Sequence, residues 1–202
     1  VLARAVADRL PDATVVALDA VTERHDSVPH ERVQPRQGRA EALPFDDQSF
    51  DALYSRLLYQ FMPDPDRVTS EIHRVLRPGG RCLLFDLDGQ LVWHDGLAAD
   101  LQADRERVLT CLRTTGFDPH VGRKLFGLCQ RAGLQVDSVA VEPYHLIAGR
   151  IAEQEFELWR LKLDIARPVL EQALGGTAAA RKFIKGFLDH LLNPTTLTFS
   201  VA

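Results

Sequence analysis

Apolar positions along this chain change their spacing several times, and each change marks an element. Val1, Leu2, Val6 and Leu10 recur at helical spacing around Arg4 and Arg9, and Pro11-Asp12 ends the run. Ala13 to Leu18 is continuous, partly β-branched and bounded by turn residues, which predicts a strand buried on both faces and closed by Asp19. From Ala20 to Gln37 the pattern fades among charges, His25, His30, Pro29 and Pro35, leaving room for a short helix and a poor strand. Phe50 to Ser55 reads as the next strand. Pro63-Asp64-Pro65-Asp66 then opens a helix with Asp64 or Asp66 as N-cap and Val68, Ile72, Val75 and Leu76 on one face. Pro78-Gly79-Gly80 predicts its end, and Arg81 to Asp86 the following strand.

The second half is richer in helical periods. Leu101–Thr114 and Val121–Ala132 both show one, the latter stopping at Gly133. Val136, Val139 and Val141 sit among polar residues between Leu134 and Leu146, and Leu197–Val201 is β-prone. Two helical stretches, Ile151–Leu174 and Ala178–Leu192, lie between these pieces and are parted by Gly175-Gly176. The expectation is an antiparallel hairpin interrupted by a helical insertion. Strands alternating with helices imply parallel pairing with right-handed crossovers.

Composition narrows the class without choosing a function. At 202 residues, 46% hydrophobic and 26% charged, the chain suits one soluble domain, divided here into a core over 1–134 and a terminal hairpin over 135–202 with its insertion at 151–192. A net charge of −4, with Lys and Arg scattered among acids, gives no electrostatic grip for nucleic acid. Cys82, Cys111 and Cys129 form no C-x-x-C pair and are odd in number, which argues against a disulfide framework or a zinc site. No apolar run approaches the roughly 20 residues that cross a bilayer. A cytoplasmic protein without metal or membrane partner is the expectation.

The stretch Gly38–Asp88 carries the most chemistry. It contains Ala40-Glu41-Ala42-Leu43-Pro44-Phe45, then Ser49-Phe50-Asp51, then Asp64-Pro65, Glu71 and Arg74-Val75-Leu76-Arg77-Pro78-Gly79-Gly80. In that order and spacing these residues resemble the second half of the core of class I S-adenosylmethionine-dependent methyltransferases of the small-molecule type. The resemblance implies a Rossmann-like α/β fold with a mostly parallel seven-stranded sheet, and methyl transfer from S-adenosylmethionine to a small-molecule O, N or C nucleophile, with S-adenosylhomocysteine released. The family's glycine-rich cofactor loop would precede the helix at Val1. With no initiator Met either, the chain reads as a piece of a longer protein whose first strand lies upstream, and residues of the Ala20–Gln37 interval are expected to be missing too.

In open α/β sheets ligands bind beyond the carboxyl ends of the strands. The resemblance therefore puts Asp19 and Ala20 at the ribose, where a carboxylate accepts from both hydroxyls of a cis-diol. Arg39 stands where the family carries an adenine-binding Asp, and a guanidinium cannot accept a hydrogen bond. Recognition of adenine then shifts to Ala40 or Glu41, with Arg39 stacking on the ring or facing solvent. Ser55 and Arg56, with Leu57, fall where the family faces the methionine portion and the reacting methyl. Tyr59-Gln60-Phe61 replaces a frequent His pair, so Gln60 is a candidate to orient the acceptor, and Tyr59 either lines the site or packs in the core.

Methyl transfer from a sulfonium removes positive charge, so a dry pocket and alignment supply much of the catalysis. Where a base is needed, Asp86, Asp88 and His94 are the candidates; both acids can equally cap the turn at Gly89. His120 and His145 rank below them. Trp93 and Trp159 could cover an acceptor, and Arg160 and Lys162 would meet an acidic substrate or merely solvate their helix. The variable insertion leaves a homodimer open. A non-catalytic methyltransferase-like partner subunit is the competing reading. A nicotinamide-dependent reductase is disfavoured because no Tyr-x-x-x-Lys pair occurs.

Overall fold

The computed structural model describes residues 2–21 and 30–202, so the short helix expected after Ala20, with His25 and Pro29, lies outside the described residues. The chain falls into two compact units, one of Val1–Leu53 with Asp64–Cys82, the other of Tyr54–Pro63 with Leu83–Ala202.

In the first unit, helix α1 (Leu2–Arg9) lies against strands β1 (Val15–Asp19) and β2 (Val33–Gln37), which pair in parallel from Val15↔Val33 to Asp19↔Gln37. Every residue of β1 is half-buried rather than buried on both faces, because its ladder among the described residues has β2 on one side only. The poor strand expected before Gly38 is β2. Its Pro35 removes one donor, and all its residues after Val33 are exposed, as suits an edge.

Helix α2 (Pro65–Val75) begins as expected: Asp64 caps it by accepting the Arg67 N–H at 3.0 Å, and Pro65 opens the first turn. It buries Val68, Thr69, Ile72 and Val75. Its end corrects the sequence expectation. The helix stops at Leu76, already extended at ψ 134°, and Arg77-Pro78-Gly79-Gly80 belongs to strand β4 (Leu76–Phe85) instead of closing the helix. Pro78 explains this, because its ring disfavours helical backbone at the preceding Arg77. β4 pairs with β3 (Phe50–Arg56), and both strands run from the first unit into the second.

The second unit holds strand β5 (Asp88–His94), helices α3 (Ala99–Thr114) and α4 (Leu125–Arg131), the short strand β6 (Ile147–Ala148), helices α5 (Glu153–Ile165), α6 (Arg167–Leu174) and α7 (Thr177–Leu191), and strand β7 (Leu197–Val201). β7 pairs antiparallel with both β5 and β6, so a helical insertion does interrupt an antiparallel hairpin. The first arm of that hairpin sits later than expected. Backbone bonds tie Glu142 to Ala202 and Tyr144 to Ser200, whereas Val139 and Val141 are exposed, because β7 is only five residues long and reaches no further back. The predicted single helix over 151–174 is two, broken at Ala166 by Pro168 in the first turn of α6. Among the described residues the seven strands make three ladders: β1–β2, β3–β4 and β5–β7–β6.

The helical insertion and α3 bury most of this unit's apolar surface. Phe187 and Leu191 are fully enclosed, and Trp159, Leu163, Leu170 and Phe183 close around them. No helix among the described residues is long and apolar enough to cross a membrane.

Candidate functional site

The first unit brings together the tips of β1 and β2. Parallel register sets Asp19 opposite Gln37, and the Gly38 N–H donates to the Asp19 carbonyl at 3.1 Å. The Asp19 carboxylate accepts the Val21 N–H at 2.9 Å, fixing a turn that exposes Ala20. Gly38 is required here for space. A Cβ would come 2.8 Å from Leu18 Cδ1 and from the Pro44 ring, which leaves no room for a side chain between strand tip and loop.

A turn follows, with the Ala42 N–H donating to the Arg39 carbonyl at 3.2 Å. Arg39 points into solvent with its side chain 72% exposed and pairs with the half-buried Glu41 carboxylate at 3.0 Å. Of the two postures open to it, the structure thus has the solvent-facing one, and Ala40 and Glu41 are the half-buried members of the turn.

Glu71 and Arg74 of α2, signature residues whose roles spacing alone left unassigned, hold this loop in shape. The Glu71 carboxylate accepts the Leu43 N–H at 2.7 Å and Arg74 Nε at 2.8 Å. Arg74 in turn donates to the carbonyls of Phe45 at 2.8 Å and Leu43 at 3.0 Å and to Asp47 at 2.7 Å. Arg67 adds a bond to the Glu41 carbonyl at 2.7 Å. The Arg74 hydrogen bond, opposed by partial burial, holds the Glu71 carboxyl below its ordinary range.

In the second unit, the carboxyl end of β3 delivers Ser55 and Arg56. Ser55 is 8% exposed, and its hydroxyl has no hydrogen-bond partner among the described residues. Leu57, next in line, takes φ 54°, a left-handed backbone that a leucine adopts at a cost of about 1–2 kcal/mol, and its N–H donates to the Phe85 carbonyl at 2.9 Å. Strain of this kind persists only where the surroundings impose it, and it clusters at functional sites.

Asp86 closes the same corner. It is 2% exposed and accepts N–H groups from Tyr59 at 2.7 Å and Leu87 at 2.9 Å, so it caps the single 3₁₀ turn Tyr59–Phe61. Burial pushes its carboxyl above the ordinary range against the pull of those N–H groups. Tyr59 is 1% exposed and so belongs to the core, as one of its two readings had it, and Gln60 is buried beside it. Asp88 is also enclosed. Arg123 grips its two oxygens at 2.8 and 2.6 Å, and its carboxyl stays below the ordinary range because that grip outweighs burial.

His94 lies on β5 rather than in a solvated loop. The run that follows Gly89 is long enough to pair with β7, and His94 Nδ1 meets Thr198 Oγ1 at 2.9 Å, with Phe187 and His190 at its ring edge. Burial, with the fields of His190 and Arg105, brings its pKa to about 3. Trp93 packs on Phe199 at 4.9 Å, and Trp159, 3% exposed, is a core residue against Phe187. His120 lies 3.7 Å from Asp88.

Sequence spacing could not have assembled one further group. Arg56 Nη2 donates to the Tyr144 hydroxyl at 3.2 Å and its guanidinium stacks over Phe85 at 5.3 Å. The Tyr144 and His145 rings meet edge to face at 4.4 Å, and Lys162 Nζ lies 3.0 Å from His145 Nε2. Among the described residues, no group of three or more His, Cys, Asp or Glu could hold a metal.

Residues 1–84 match the family model described as "Methyltransferase domain". Malonyl-[acyl-carrier protein] O-methyltransferase of Methylococcus capsulatus is 40% identical over 90 residues, covering 40% of this chain and 32% of that one. YafE of Escherichia coli is 34% identical over 76 residues, covering 38% and 37%. The chain thus spans well under half the length of both. Among solved structures, a methyltransferase candidate from Bacillus halodurans C-125 superposes with a TM-score of 0.59 at 18% identity, covering 98% of this chain and 85% of its own. Haemonchus contortus phosphoethanolamine N-methyltransferase 2, solved with phosphomonomethylethanolamine and S-adenosylhomocysteine, gives 0.51 at 19% identity, covering 99% and 46%.

Proposed function

From a chain whose residues 1–84 match the methyltransferase domain model, in the fold of class I S-adenosylmethionine-dependent methyltransferases, we propose methyl transfer from S-adenosylmethionine to an O, N or C nucleophile of a small molecule. The observation that carries this reading is the juxtaposition of Asp19 with the Gly38–Glu41 turn, joined through the Gly38 N–H and the Asp19 carbonyl, while Arg67 holds the Glu41 carbonyl and Glu71 and Arg74 hold Leu43 and Phe45 just beyond.

These residues fit an adenosyl group. Asp19 offers a half-exposed carboxylate for ribose hydroxyls, with Ala20 exposed next to it. The half-buried Ala40 and Glu41 form the wall of the turn, while Arg39 stays outside it. Within the second unit taken by itself, the Ser55 hydroxyl has no partner among the described residues, and a polar group of a bound molecule would complete it. When bound, the sulfonium supplies an electrophilic methyl, and the protein's task is to hold the acceptor in line with it and to exclude water.

Asp86 acts in this reading by positioning. It fixes the 3₁₀ turn that carries Tyr59 and Gln60, leaving the Gln60 amide to orient the acceptor. Asp88, locked to Arg123, and His94, neutral and enclosed, hold the β5 region and do not reach the acceptor. Trp93 packs on Phe199 of β7, and Trp159 lies in the helical core against Phe187.

Calorimetric titration of the intact protein with S-adenosylhomocysteine tests the reading. One site per chain, weakened in Asp19→Ala, is expected. A folded protein that takes up no S-adenosylhomocysteine overturns it.

A further inference from the structure

Lys162 is a half-buried ammonium whose polar partner is a neutral ring. Burial lowers its affinity for its proton, partly offset by the field of Glu155. Because an ammonium only donates, His145 Nε2 accepts from it at 3.0 Å, and Nδ1 therefore carries the proton toward Ser200 Oγ at 3.0 Å. Burial and the Lys162 charge bring the His145 pKa to about 4, so the imidazole is neutral at physiological pH. Among the described residues no carboxylate lies within 4.0 Å of Lys162 or of Arg56.

Lys162 is set apart by being half-buried with a neutral ring as its polar partner. Arg123, Lys124, Arg160, Lys182 and Lys185 each have a carboxylate partner. Arg56 and Lys162 instead approach one dipeptide from its two side chains, Arg56 through the Tyr144 hydroxyl and Lys162 through the His145 ring. Arg56 also leads directly from Ser55 at the tip of β3. Two cations, a phenol and a neutral imidazole thus stand in one chain of contacts, with no carboxylate in contact with either cation among the described residues. Arg56 is exposed, but Lys162 is half-buried, and partial desolvation of its ammonium is a cost that a bound oxyanion offsets with charge-assisted hydrogen bonds.

We propose that Arg56, Tyr144 and Lys162 form a recognition site for an oxyanion on the methyl acceptor, a carboxylate or a phosphate monoester, which makes the acceptor an acidic small molecule. This rests on the methyl-transfer reading above, and it assigns to Lys162 the specificity role for which its helix position alone gave no reason. Ser200 is a positioning residue: by accepting the hydrogen bond of Nδ1–H it keeps Nε2 unprotonated and able to hold the ammonium in place.

The test titrates the intact protein with phenyl phosphate and, separately, with benzoate, followed by calorimetry and by the imidazole resonances of His145. Saturable binding of at least one of the two is expected, weakened about tenfold in Lys162→Gln and less in Tyr144→Phe, which removes only the hydroxyl, and largely retained in Lys162→Arg. Uptake of phenyl phosphate alone identifies a phosphate monoester, and of benzoate alone a carboxylate. Equal uptake by wild type, Lys162→Gln and Tyr144→Phe, or none by wild type, overturns the proposal. S-adenosylhomocysteine is titrated into the same samples and should bind Lys162→Gln unchanged. A wild type that takes up the anion but not S-adenosylhomocysteine overturns the methyl-transfer reading and the acceptor assignment with it. One that takes up S-adenosylhomocysteine and no anion overturns the oxyanion site only.

Discussion

Glu71 and Leu43 stand 28 positions apart, yet the Glu71 carboxylate accepts the Leu43 N–H at 2.7 Å. One helix of the first unit thereby shapes the loop that is proposed to wall the adenosyl site. Replacing Glu71 by Ala leaves the Leu43 N–H and the Arg74 guanidinium without their partner, and should destabilise the fold by about 1–3 kcal/mol in urea unfolding. The sign of the pH effect follows from the carboxyl lying below its ordinary range, chiefly through Arg74. The stabilisation is present above the ordinary carboxylate range and is lost as pH falls through the lowered value. Glu71→Gln should flatten the acid limb of the stability curve; an unchanged limb would show that Glu71 contributes nothing there.

Asp19→Ala should weaken S-adenosylhomocysteine binding by about 1–3 kcal/mol, the range for lost hydrogen bonds to a charged group. The turn it stabilises through Val21 is exposed, so the fold should survive. Calorimetry on the folded variant decides, and an unchanged affinity removes Asp19 from the site.

Asp86→Ala should cost about 1–3 kcal/mol, because the N–H groups of Tyr59 and Leu87 would be left buried without an acceptor. Asp86→Asn keeps an acceptor oxygen and should recover part of that loss. If Asp86 were instead the base of the reaction, Asn would abolish turnover while leaving unfolding nearly unchanged. Denaturation and turnover measured on both variants separate the two roles.

His94 and His145 make stability depend on pH in the mildly acidic range. Their folded pKa values of about 3 and about 4 lie below the ordinary value of 6.5, burial being the main cause for each. Between the folded and unfolded values the unfolded chain binds more protons, so stability rises with pH there and levels off above about 6.5. Each histidine adds a slope of up to about 1.4 kcal/mol per pH unit. His145→Gln should remove its share of that slope between about pH 4 and 6.5, measured as urea midpoints across the range. An unaltered slope would mean that His145 titrates normally in the fold.

What could be read from the chain alone was what neighbouring residues decide among themselves. The Asp64 cap, the stripe of Val68, Ile72 and Val75, the strand ending at Asp19 and the antiparallel pairing around a helical insertion are all local patterns or follow from their order. The signature from Ala40 to Gly80 carried the resemblance for the same reason, since its residues meet within one unit of the fold.

Tertiary structure decided whatever depended on a distant partner. Pro78 moved the end of α2 through a local clash that the glycines after it had masked, but β5 and the burial of His94 required β7, which comes a hundred residues later. Arg123 turned Asp88 from an available carboxylate into an ion-paired one, and packing in the helical insertion made Trp159 a core residue. Lys162 shows the limit best: on its helix it is one charge among several, and only the fold sets it against a neutral histidine and leaves it short of an anion. Spacing in sequence fixes which way a side chain leaves its own element, whereas its charge state and partners depend on surfaces that meet only after the chain has folded.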